Sequence, residues 1–140
     1  MSRKFNDETE IRRLVEAFEN GTIPRNEWDH AGHLTVGLFY CLHEDLETAT
    51  ERMSRNLLNH LRSVGVDLTK EMPFHVTLTV FWMQTIDDFR KTKNGASLVE
   101  MANELVENFD KDYPLRFYSR EYLFSDEARS KFVPPDIQKR

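Results

Sequence analysis

The stretch PFHVTLTVFWMQTIDDFRKTK, residues 73–93, carries more apolar side chains than one face of a helix can hold. Phe74, Val76, Leu78, Val80, Phe81, Trp82, Met83, Ile86 and Phe89 surround the helical axis on nearly every side. Such a helix has to be enclosed by other elements rather than laid on a surface. Pro73 fits its first turn, where the missing N–H is harmless. A buried central helix over about 73–93 is therefore expected, and the rest of the chain supplies the helices that cover it.

Upstream, Ile11, Leu14, Val15 and Phe18 recur at helical spacing behind an Asp7/Glu10 capping box, and the run stops at Asn20-Gly21. Asn26 is placed to cap a second helix, whose Trp28, Ala31, Leu34, Thr35, Leu38 and Leu42 form a stripe. A third stripe of Leu46, Ala49, Met53, Leu57, Leu61 and Val64 ends at Gly65. Downstream, Asn94-Gly95 marks a turn, and Ser97 with Glu100 forms a capping box before Leu98, Ala102, Leu105, Val106 and Phe109. Beyond Pro114, Ser119 and Ser125 are placed to cap one or two short helices ahead of a Pro-terminated tail. No period-two strand pattern, repeat or linker interrupts the series. The reading is a single all-α domain over residues 1–140, a compact five- to six-helix orthogonal or bundle-like arrangement.

Charge narrows the partners. The chain has 19 Lys and Arg against 24 Asp and Glu, a net charge of -5, with both signs interspersed and no basic stripe for nucleic acid. A lone cysteine, Cys41, precludes an intramolecular disulfide and a Cys-rich zinc site, and fits a reducing compartment. No apolar run is long enough for a membrane span, and the first residues lack a secretory h-region, so a cytoplasmic protein with no membrane partner is expected.

The polar residues of interest lie on two helices. His30 and His33, three apart, project from one side of the second helix, with Gly37 a turn beyond to make room for a neighbour or a bound group. His75 opens the central helix, with Thr79 and Trp82 on its face at i+4 and i+7. If the two helices meet near these ends, His30, His33 and His75 can hold a divalent transition metal such as zinc, iron or nickel. Glu27, Asp29 or Glu71 would then orient a histidine or take a proton from bound water. A metal-free alternative makes His33 a general base and Arg120 an anion anchor, with Tyr118 among the donors around it. A third treats the histidines as structural, hydrogen-bonded to backbone or to Thr35, Thr77 and Thr79. His43, at a helix end, and His60, beside the third stripe, read as structural or solvated.

Three blocks, WDHAGHLTVGLFYCL, FHVTLTVFWMQ and FYSREYLFSDEARSKFVPPD, together resemble a small bacterial family of uncharacterised all-α proteins. Its pattern is W-x-H-x-x-H-L, aromatic-H-x-T and Y-S-R-x-x-L-x-S-x-x-A-R. These map onto His30, His33, His75, Thr77, Tyr118, Ser119, Arg120, Ser125 and Arg129. The resemblance names no activity; it implies that these residues belong to one shared design. The expected functions are therefore chemistry on a small polar substrate, with or without metal, non-catalytic binding or regulation by a small anionic ligand, or a structural helical interaction module.

Overall fold

A computed structural model describes residues 5–66 and 74–139. Seven α-helices and two short 3-10 turns make up its regular structure, with no strand among the described residues. The helices are α1 (Glu8–Glu19), α2 (His30–His43), α3 (Leu46–Ser63), α4 (Val76–Lys91), α5 (Leu98–Asn108), α6 (Arg120–Leu123) and α7 (Asp126–Ser130).

Local signals set most of the boundaries. Asp7, Asp45 and Ser97 cap α1, α3 and α5 by accepting a backbone N–H in the first turn, and Ser97 and Glu100 complete the reciprocal box. Ser119 and Ser125 do the same for α6 and α7. The end of α3 is closed by Gly65 at φ 84°, a left-handed conformation that a Cβ would strain. Val66 N–H then reaches Leu61 O at 3.0 Å and Gly65 N–H reaches Arg62 O at 3.1 Å, which satisfies two carbonyls of the last turn.

Two helix starts differ from the expectation. Asp29, not Asn26, caps α2: its Oδ1 accepts from Gly32 N–H at 2.8 Å, while Asn26 lies in a 3-10 turn, Arg25–Glu27. The shift follows from Trp28, whose ring stacks flat on Phe18 at 4.4 Å and whose own backbone is extended, separating the 3-10 turn from α2. The central helix starts at Val76 rather than near 73, capped by the His75 ring, and ends at Lys91; Pro73 and Glu71 lie outside the described residues.

Helix α4 touches α2, α3, α5 and α7, as an enclosed element must. Phe81, Met83 and Ile86 are fully buried along it. Helix α2 shares the interior, with Leu34, Val36, Leu38 and Tyr40 at 0% exposure, although Leu42 of the expected stripe lies at the surface. Gly37 is where α2 and α4 approach. A Cβ there would sit 2.7 Å from Ile86 Cδ1 and 3.2 Å from Met83 Sδ, so the glycine makes room for α4 side chains.

The C-terminal segment is fastened to α4 by buried polar contacts. Thr77 Oγ1 donates to Lys131 O at 2.9 Å and accepts from Val133 N–H at 3.2 Å. Tyr118 Oη donates to Val133 O at 2.7 Å, and Ser119 N–H and Oγ both donate to the Asp136 carboxylate. Arg129 lies over the Phe124 ring with its Nε on Phe124 O.

Candidate functional site

A cavity of about 470 Å³ opens between α2, α3 and the start of α4. Trp28, Leu57, Leu61, Val64, Phe74 and Leu78 make its apolar wall, and four of the five histidines of the chain, His30, His33, His60 and His75, line it with Asp29 and Thr79. Each ring arrives for a local reason. Asp29 ends the turn and caps α2, so His30 occupies the first helical position and His33 the next turn of the same side. His60 sits on the buried face of α3 with Met53 and Asn56.

The ring nitrogens divide the histidines into two kinds. His75 is committed to the fold at both ends. Its Nδ1 accepts from Leu78 N–H at 3.1 Å and its Nε2 donates to Leu123 O at 2.7 Å, which fixes one neutral tautomer. Burial lowers its pKa, the hydrogen bond to Leu123 opposes that shift, and the nearby positive charge of Arg129 adds to it. His30 Nε2 donates to Phe109 O at 2.8 Å, a carbonyl set free where α5 ends and the chain turns extended. Its ring meets Trp82 edge-on at 5.0 Å.

His33 and His60 are the other kind. The Nε2 of His33 and the Nδ1 of His60 are buried, and neither has a hydrogen-bond partner among the described residues. Burial, aided by the neighbouring His30, lowers the His33 pKa to about 4, so the ring is neutral at pH 7. Burial alone lowers that of His60, which is 3% exposed. Trp28 stands beside both rings, 6.3 Å from His33 and 5.3 Å from His60 between centroids.

The expected three-histidine metal site is not assembled. Among the described residues no three His, Cys, Asp or Glu side chains are grouped to hold an ion. Both ring nitrogens of His75 and one of His30 are spent on protein hydrogen bonds, leaving His33 as the only member of the triad with an unpartnered buried nitrogen. A zinc, iron or nickel ion does not fit this donor set.

The other expected residues separate in the same way. Glu27 is exposed in the 3-10 turn and does not line the cavity, so it has no place as its base. Asp29 does line it, with one oxygen engaged in capping α2. Thr79 lines it too, its hydroxyl donating to His75 O at 2.9 Å. Trp82 and Arg120 line an adjoining chamber. Tyr118 is fully buried with its hydroxyl on Val133 O, and is a fastener of the tail instead of a ligand contact. His60 is the residue that sequence spacing missed. Its signal was its place on the helical face shared with Met53 and Leu57, where an imidazole needs a partner. His43 stacks on Phe39 at the exposed end of α2, as its position implied. No protein-family model matches the chain, and neither a curated protein nor a solved structure is significantly similar to it.

Proposed function

We propose that this protein binds a small organic molecule in the His-lined cavity, without a metal, and that His33 Nε2 and His60 Nδ1 are its polar contacts. The observation that carries the reading is a pair of buried, unpartnered imidazole nitrogens on two histidines that line one cavity. Buried polar groups in folded proteins nearly always have partners, and leaving one without costs about 1–3 kcal/mol. A ligand that bonds to both nitrogens removes that penalty on binding. The cavity's size of about 470 Å³ falls in the range of small-molecule sites, and an apolar wall with a few convergent polar atoms is their usual composition.

Binding is favoured over proton transfer by the electrostatics. A general base works best with a pKa near the operating pH, whereas His33 lies at about 4. At neutral pH it offers one hydrogen bond as a neutral ring and is a weak base. The proposal includes a cytoplasmic setting, in keeping with the single reduced cysteine, and membership of the bacterial family that the motif blocks resemble.

The test is a fragment screen by ligand-observed NMR, with hits compared between the native protein and His33→Leu. The reading expects mutually competing hits that perturb Trp28 and weaken by about tenfold in the variant, the loss of one buried hydrogen bond. An absence of hits, with long-lived waters bound at both imidazoles, would overturn it.

A further inference from the structure

A second chamber, of about 250 Å³, shares His30, His33 and Leu78 with the first. Its character is different. Lys111 and Arg120 both line it, and Asp112 is the one carboxylate in its lining. Neither cation makes an ion pair or a hydrogen bond through its side chain with a described residue. Elsewhere in the fold carboxylates hold several of the cations. Arg52, for instance, bridges Glu19 and Glu44, and Asp87 holds both Arg90 and Lys91. Lys111 and Arg120 are both exposed, and together they place positive charge at the edge of one concavity.

We propose that the ligand is an amphipathic anion, its apolar body in the larger chamber and its carboxylate or phosphate head on Arg120 and Lys111; this rests on the reading of the larger cavity given above. The division of chemistry supports it. Trp28, Leu57, Leu61, Val64 and Phe74 belong to the larger chamber alone, and both cations belong to the smaller. An arginine fork pairs with either kind of head through two parallel hydrogen bonds. His33, common to both chambers and neutral at pH 7, bonds to the ligand between body and head without adding charge. A cationic ligand would meet Lys111 and Arg120, and a neutral one would gain nothing from them.

The two tryptophans of the chain make the test direct, because Trp28 lines the larger chamber and Trp82 the smaller. Octanoate, octyl phosphate, octanol and octylammonium are titrated, below their micellar range, against the native protein. Trp28→Phe and Trp82→Phe assign the fluorescence change to a chamber. Octanoate and octyl phosphate are expected to bind at least about tenfold more tightly than octanol, as a charge-assisted bond requires, and octylammonium most weakly. Arg120→Gln is expected to reduce the octanoate-to-octanol preference to within about twofold, and Arg120→Lys to restore part of it. Equal binding of octanoate and octanol, or a preference that survives Arg120→Gln, overturns the anionic assignment while leaving the cavity reading intact. If none of the four probes disturbs Trp28, the cavity reading itself falls and this inference with it.

Discussion

His33→Leu is expected to make the protein less sensitive to acid and more stable at neutral pH. In the folded chain burial and the neighbouring His30 hold the His33 pKa at about 4, against 6.5 for the free ring. The unfolded chain takes up its proton near the ordinary value, and the folded chain only near 4. Between those values the unfolded state binds more protons, so the contribution is fully present above pH 6.5 and is lost as pH falls toward 4. Integrated between about pH 7.5 and 4.5, the shift amounts to roughly 2.5 kcal/mol. Leucine removes that loss. At neutral pH it also replaces a buried nitrogen that has no partner, a change worth about 1–3 kcal/mol and a rise in Tm of about 3–10 °C. Urea denaturation followed by far-UV circular dichroism at the two pH values, on native and variant, reads both effects. His60 and His75, whose pKa values are also lowered, add an acid loss common to the two proteins. Identical losses between the two pH values would refute a His33 ring that stays neutral in the folded chain. A variant less stable than native at neutral pH would show that Nε2 is satisfied within the fold.

Two further outcomes test the scaffold that positions the cavity. His75→Ala removes the α4 cap and the tie to Leu123 O, and should lower stability by about 2–3 kcal/mol; hydrogen exchange over residues 120–133 should speed up more than over α5. Gly37→Ala gains about 1 kcal/mol of helix propensity but crowds Ile86 Cδ1, for a net loss of about 1 kcal/mol. In the double variant Gly37→Ala/Ile86→Val, which removes the crowding methyl, equilibrium unfolding should show a favourable coupling of about 1 kcal/mol.

The helices were legible because their signals are local. The all-round apolar run of α4, the stripes of α1, α3 and α5, and the capping residues Asp7, Ser97, Ser119 and Ser125 act within a few residues of themselves. Asn26 and Asp29 are equally good caps by composition; the contact of Trp28 with Phe18, ten residues away, selects the second. The site was legible only in part. His30 and His33 stand out by spacing, but which imidazole nitrogens stay unpartnered depends on Phe109 and Leu123, 79 and 48 residues distant. Thr77, Tyr118 and Ser119 look like site residues in one dimension, and their partners Lys131, Val133 and Asp136 make them fasteners of the tail. The place of His60 on the face of Met53 and Leu57 marks it for burial, and the packing of α3 against α2 and α4 decides that it lines the cavity.

Under the proposed function a ligand bonds to His33 Nε2 and His60 Nδ1. Long-range nitrogen–proton NMR of the histidine side chains, recorded without and with the tightest-binding fragment, tests it most directly. The nitrogen signals of His33 Nε2 and His60 Nδ1 are expected to move on binding, while His75 keeps its Nε2–H tautomer in both states. Unmoved His33 and His60 signals with a saturating fragment would contradict it.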